Sequence, residues 1–127
     1  MSLKKDRTNS FDNKFMRFAI NLANNQKGLT GTNPSVGCVI VKNNEILSFA
    51  TTNNGGRPHA ESIALNKNRS NKGTSLYSSL EPCSHHGVTP PCTNTIIKNK
   101  VRRVYYSIED KDLRTFNKTK KILKSKK

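Results

Sequence analysis

The residues His59-Ala60-Glu61, Pro82-Cys83 and Cys92 follow one another in an order that suits a catalytic zinc ion. Zinc takes nitrogen and sulfur ligands, and catalytic sites commonly supply three of them and leave a fourth position for water. His59, Cys83 and Cys92 meet that count with one ion per chain. His85 and His86 lie between the two cysteines, and either one filling the fourth position would instead close a structural site. Glu61 follows His59 by two residues on the same first helical turn, close to the metal but aimed differently from the imidazole. A carboxylate so placed suits proton transfer between a water made acidic by zinc and a departing amine. The chemistry implied is hydrolytic deamination of an amidine-type ring carbon, which yields a carbonyl and ammonia. Its signature is His-x-Glu, then Pro-Cys and a second Cys, with the glutamate outside the ligand set. Both cysteines follow prolines, and each is expected to open or closely precede a helical turn that stabilises its thiolate.

The elements around these residues can be read from periodicity. Phe11, Phe15, Phe18, Ala19 and Leu22 recur on one helical face over residues 11–25, with Ser10 as N-cap and Gly28 as stop. Gly31-Thr32-Asn33-Pro34 is turn chemistry. The apolar run 36–41, the pair Asn43-Asn44 and residues 46–50 then read as a hairpin whose first strand is covered on both faces. A loop through Gly55, Gly56 and Pro58 leads to His59 and Glu61 at a helix start, continued by Ile63, Ala64 and Lys67. Residues 76–80 form a short strand ending at Glu81-Pro82-Cys83, and 93–98 a helix. Residues 101–108 form a further strand and 114–124 a last helix. Strands alternating with helices predict an α/β domain with helices on both faces of one sheet.

With 127 residues the chain is expected to form one core. No stretch approaches the roughly 20 apolar residues of a membrane span, and the start, Met1 to Asp6, has no signal-peptide run, so the expected location is the cytoplasm. Of three cysteines, Cys83 and Cys92 follow prolines with histidines nearby, which suits metal binding in a reduced compartment; Cys38, inside the run 36–41, reads as a buried, inert thiol. The formal net charge of +15 raises a nucleic-acid partner. Residues 98–127, however, hold 12 Lys and Arg against 3 Asp and Glu with few interleaved aromatics, and Lys and Asn are used heavily throughout. A solvated basic end is the better reading, and a nucleic-acid groove is not expected.

The segment Glu81-Pro82-Cys83-Ser84-His85-His86-Gly87-Val88-Thr89-Pro90-Pro91-Cys92 resembles the riboflavin-biosynthesis pyrimidine deaminases. Most cytidine-deaminase-like enzymes have Pro-Cys-x-x-Cys here, whereas eight residues between the cysteines, with Ser-His and Thr-Pro-Pro inside, are specific to that family. Residues 33–41 and 56–61 match as well, so the resemblance spans roughly residues 15–110. It implies a three-layer α/β/α cytidine deaminase-like fold with a mixed, five-stranded sheet. It also implies action on 2,5-diamino-6-ribosylamino-4(3H)-pyrimidinone 5′-phosphate. By the resemblance His59, Cys83 and Cys92 are the zinc ligands, Glu61 carries the proton, and Asn33, Ala60 and Asp110 contact the substrate. Three departures bear on that substrate. Val88 stands where the family has a cation, Thr52 where it has a histidine, and Lys111-Asp112-Leu113 replace most of an Asp-Pro-Asn-Pro loop after Asp110.

The expected organisation is a single zinc-dependent deaminase domain over residues 1–127, lacking the family's last strand and its reductase domain, either standing alone or as part of a longer polypeptide. A homodimer or higher oligomer is expected, with a separate or fused reductase as partner. Two other readings stand beside this one: a nucleoside or tRNA-base deaminase of the same superfamily, and a non-catalytic, zinc-stabilised module that binds RNA or protein.

Overall fold

The computed structural model describes residues 2–3, 10–83 and 91–108. The elements run β1 (Ser2–Leu3), α1 (Ser10–Asn25), β2 (Gly37–Lys42), β3 (Glu45–Thr51), a 3₁₀ turn (Asn54–Gly56), α2 (Ala60–Asn66), β4 (Ser75–Leu80), α3 (Cys92–Lys98) and β5 (Arg103–Ile108). They build one mixed five-stranded sheet in the order β1-β5-β4-β2-β3. Strand β2 runs antiparallel to both β3 and β4, while β5 runs parallel to β4 and β1. Four strands carry the sheet. The fifth, Ser2–Leu3, was not legible in the sequence, because two residues show no period. The helix expected over 114–124 lies outside the described residues. No helix among the described residues is long and apolar enough to cross a membrane.

The apolar run of β2 is continuous because its alternate side chains enter two different cores. Val39 and Val41 pack with Phe15 and Ala19 of α1 and with Tyr77 and Tyr105. Cys38 and Ile40 face the other way, among Ala60, Ala64, Leu65, Leu76, Ile96 and Val104. The sheet is thus the middle of three layers, with α1 on one face and α2 and α3 on the other. Each fully buried leucine, isoleucine or valine contributes roughly 1.5–3 kcal/mol. On the α1 side Phe15 stacks obliquely on Tyr77, whose ring lies parallel to that of Tyr105 at 4.6 Å. Gly37 lets α1 descend onto β2, since a Cβ there would overlap the Ala19 carbonyl oxygen.

Two local readings are corrected. Ser10 is already helical, so it is not the cap of α1. The strand expected from residue 101 begins at Arg103, because Lys100 turns the chain at φ 57 and the N–H groups of Arg102 and Arg103 both donate to Thr74 O. The hairpin turn is as expected, with Asn43 and Asn44 at φ 52 and 62, the pair of positive values that a two-residue turn of the primed type demands.

Asn71, 3% exposed, ties the far ends of α2 and α3 together. Its Nδ2 donates to Leu65 O at 2.8 Å and to Asn99 Oδ1 at 2.9 Å, while its Oδ1 accepts from Asn68 Nδ2. With those ends fixed, the two helices start side by side at the end of the sheet where β4 stops.

Candidate active site

Three chain segments meet at that end. His59 is the N-cap of α2, in extended backbone, so its side chain leaves the helix start. Cys92 is the first residue of α3, after Pro91. Cys83 follows β4 by three residues in non-regular backbone; a helical turn after it would fall at residues 84–90, outside the described residues. The Cys92 N–H donates to Cys83 Sγ at 3.1 Å and the Thr93 N–H to Cys83 O, closing the long loop at its base.

The ligand atoms of His59, Cys83 and Cys92 lie within 4.8 Å of one another, and this is the one metal-binding group of three or more such side chains among the described residues. Zinc–sulfur bonds of about 2.3 Å and zinc–nitrogen bonds of about 2.05 Å at tetrahedral angles set sulfur about 3.6 Å from nitrogen. His59 Nδ1 stands 3.7 Å from Cys83 Sγ and 3.4 Å from Cys92 Sγ. The donor set and its spacing fit zinc, with Nδ1 as the ligating nitrogen.

In the metal-free chain the two thiols share one hydrogen bond, and their acidities split. The hydrogen bond from Cys92 is the largest of the effects that lower the Cys83 thiol to about 4; contacts from His59 and the Cys92 N–H add to it, and burial opposes it. Cys92 is raised, first by that same bond and then by burial and by Glu61. The bond to Cys83 raises His59, Glu61 adds to this, and burial and the Arg57 charge oppose it.

Glu61 sits on the first turn of α2 and is 3% exposed. Burial raises its carboxyl above the ordinary value, and hydrogen bonding from Cys92 and the His59 charge work against that. Its Oε1 is buried with no hydrogen-bond partner among the described residues. Such an atom normally costs about 1–3 kcal/mol, a cost tolerated where a group must meet a ligand. Cys38 borders it from the core: burial, and next the Glu61 charge, push this thiol well above its usual range, so it is inert.

The remaining expected residues fare differently. Asn33 lies half-buried on the loop after α1, its Nδ2 donating to Gly56 O at 3.0 Å. The Ala60 methyl is fully buried in the core, so only its N–H, which has no intrahelical acceptor at that position, can face a ligand. Thr52, 1% exposed, bonds the backbone: the Val36 N–H donates to its Oγ1 at 2.9 Å and its own N–H to Val36 O. Its side chain serves the junction of β2 with β3. His85, His86, Val88, Asp110 and Asp112 lie outside the described residues. Two residues outside the expected site set bear on Asn33 and its loop, Gln26 without any signal in the sequence and Gly56 within the stretch 56–61 that matches the family. Gln26 bridges to the loop before His59, and Gly56 packs against Asn33.

This geometry matches what the chain is similar to. It is 43% identical over 100 residues to the riboflavin biosynthesis protein RibD of Aquifex aeolicus, covering 78% of this chain and 28% of that protein. Among solved structures it resembles a diaminohydroxyphosphoribosylaminopyrimidine deaminase/5-amino-6-(5-phosphoribosylamino)uracil reductase from Thermotoga maritima. That likeness has a TM-score of 0.80 at 34% identity, over 88% of this chain and 33% of the other. A RibD from Acinetobacter baumannii gives a TM-score of 0.80 at 37% identity, over 91% and 33%. The chain therefore spans about a third or less of these relatives. Residues 9–108 match the cytidine and deoxycytidylate deaminase zinc-binding region. With its three zinc-spaced donors and a buried glutamate beside them, the chain belongs to that family of zinc-binding deaminase domains.

Proposed function

We propose that the chain hydrolytically deaminates 2,5-diamino-6-ribosylamino-4(3H)-pyrimidinone 5′-phosphate to 5-amino-6-ribosylaminouracil 5′-phosphate and ammonia. The observation that carries this reading is the closed base of the Cys83–Cys92 loop: eight intervening residues with the Cys92 N–H on Cys83 Sγ and both sulfurs against His59. The similar protein of T. maritima bears the name of a deaminase for this class of compound. Neither the nucleoside or tRNA-base reading nor the zinc-stabilised binding module accounts for that loop together with a buried glutamate.

In this reading His59 Nδ1, Cys83 Sγ and Cys92 Sγ hold one zinc ion. Bound zinc supplies the Lewis acidity that makes a water acidic near neutral pH. Glu61 does the proton work. Burial raises its proton affinity above the ordinary carboxylate value, so Glu61 takes one proton from the attacking water and gives it to the ring nitrogen, then takes the second from the new hydroxyl and gives it to the leaving amine. The water's oxygen becomes the product carbonyl and the amine departs as ammonia. Asn33, the Ala60 N–H and Asp110 orient the substrate. The single domain of residues 1–127 carries this step, and a separate or fused reductase carries the one after it, as the greater length and the second named activity of the T. maritima relative suggest. A cytoplasmic setting suits three free cysteines, two of which must stay reduced to bind metal. Pairing of copies would cover Ile46, Leu47 and Phe49, each more than 40% exposed on edge strand β3.

Zinc-loaded protein incubated with the phosphorylated diaminopyrimidinone is expected to release ammonia, while cytidine, cytosine and tRNA are not converted. Turnover by Glu61→Gln as fast as by wild type would sink the proposal.

A further inference from the structure

Two loops come together ahead of His59, residues 28–33 after α1 and residues 52–58. Four contacts zip them together. Gln26 Nε2 donates to Thr52 O at 3.0 Å and to Asn54 Oδ1 at 2.8 Å, reaching across from the end of α1. The Gly55 N–H donates to Leu29 O at 2.8 Å. Gly56 O accepts from Asn33 Nδ2 at 3.0 Å.

Gly56 is the point where the second loop presses on Asn33. Its φ is +99, and a Cβ there would stand 2.7 Å from Asn33 Nδ2 and 2.6 Å from Thr30 O. Asn33 is held from its other side as well: Thr30 Oγ1 donates to its carbonyl at 2.7 Å, and its N–H to Thr30 O. The facing group on Gly56 is a carbonyl oxygen, so only the NH₂ side of the carboxamide can turn toward it. Asn33 therefore offers its Oδ1 elsewhere, as an acceptor. Were the second loop to drift, nothing would choose between the two faces of the amide.

We infer that Gln26 is a positioning residue for substrate binding: it pins Thr52 and Asn54, so that Gly56 O fixes the Asn33 carboxamide with its acceptor free. Gln26 touches neither the metal ligands nor Glu61, so its effect falls on binding and not on the chemical step. For the kinetic readout the inference rests on the substrate reading above; the spectroscopic one does not.

The test uses the zinc-loaded full chain with Gln26→Glu, Asn54→Ala, Asn33→Ala and the double variant Gln26→Glu/Asn33→Ala. Glutamate has glutamine's shape but sets an oxygen against the Thr52 carbonyl, which can only accept, whereas the exposed Asn54 amide can turn to donate to it. In wild type the Asn33 carboxamide gives one proton shielded from solvent exchange by Gly56 O. In Gln26→Glu that protection is expected to vanish while circular dichroism and the zinc content stay unchanged. KM is expected to rise about tenfold with kcat within about twofold, the loss of the bond to Thr52 O and the repulsion that replaces it expressed in binding alone. Asn54→Ala removes only the exposed bond and is expected to raise KM about threefold. In the Asn33→Ala background Gln26→Glu is expected to add nothing, because its route to the substrate is gone. An Asn33 carboxamide equally protected in Gln26→Glu, or KM effects that multiply in the double variant, would overturn the inference. If wild type does not turn over the diaminopyrimidinone, the substrate reading fails, and the Asn33 exchange measurement still decides the role of Gln26.

Discussion

Removing zinc exposes the pair of thiols whose acidities the geometry has split. The Cys83 thiol falls from an ordinary 9.0 to about 4, and at pH 6 it is then about 99% thiolate where an ordinary cysteine is about 0.1%, a ratio of roughly 10³. A less basic thiolate is also a weaker nucleophile, and a Brønsted slope of about 0.4–0.5 across that gap takes back roughly 10². The net gain is only about three- to tenfold, and half-burial of Cys83 reduces it further, so the absolute rate is a poor test. The pH profile is a good one, because burial cancels from it. Metal-stripped protein treated with 4,4′-dithiodipyridine between pH 5 and 8 is expected to react first at Cys83, at a rate nearly independent of pH. An ordinary thiol speeds up about tenfold per pH unit over that range. Peptide mapping by mass spectrometry assigns the site, and added zinc is expected to stop the reaction. A Cys83 rate that climbs tenfold per unit, or modification of Cys92 first, would refute the argument that the Cys92 thiol and the Cys92 N–H hold Cys83 as an anion. The sign for stability follows the same depression: the stabilisation is complete above pH 9 and is lost as pH falls through about 4.

Zinc binding at pH 8 is expected to draw about one proton from the cysteine pair, from the raised Cys92 thiol, since Cys83 is already ionised; titration calorimetry in buffers of different ionisation enthalpy measures the total, an NMR titration of His59 gives the share of its raised imidazole, and two protons left after subtracting that share would mean that Cys83 is an ordinary thiol. Glu61→Gln is expected to lower kcat by about 10² to 10⁴ while one zinc per chain remains; loss of the metal would make Glu61 a structural group. Asn71→Ala, which leaves Leu65 O and the Asn99 and Asn68 side chains without their bonds, is expected to cost about 2–3 kcal/mol by urea unfolding, and a cost under about 0.5 would show that it is not what joins α2 to α3. Gly37→Ala is expected to cost about 3 kcal/mol or more by the same measurement, because α1 must lift off the sheet; an unchanged midpoint would show that the helix yields freely.

Much of this molecule is legible in its sequence because the constraints there act on residue type. Zinc accepts few side chains, so His59, Cys83 and Cys92 declare themselves wherever the chain later carries them. A two-residue hairpin turn needs positive φ twice, and Asn43-Asn44 is among the few pairs that tolerate it. The unbroken run of β2 announces a strand covered on both faces, although not that Cys38 and Val39 enter different cores. The joining of the two loops that hold Asn33 is hidden for the opposite reason. Gln26, Leu29, Gly55 and Gly56 act largely through backbone atoms or a terminal amide, and many residues in a loop offer the same groups. Ser2–Leu3 is hidden by its shortness.

Ala60 shows where a motif blends two kinds of constraint. Between His59 and Glu61 it reads as part of a chemical signature, yet its methyl is fully buried beside Cys38, Ile40 and Ala64. A larger side chain there would push α2 away from β2 and move both of its neighbours with it. Glu61, the next residue, is itself only 3% exposed. The carboxyl holds its proton more tightly than usual because burial keeps water from it, and among the described residues its Oε1 has no hydrogen-bond partner. The packing that stabilises the domain and the proton affinity that the chemistry needs are set by one layer of side chains, so a substitution that loosens Cys38, Ala60 or Ile96 should alter the acidity of Glu61 before it unfolds the chain.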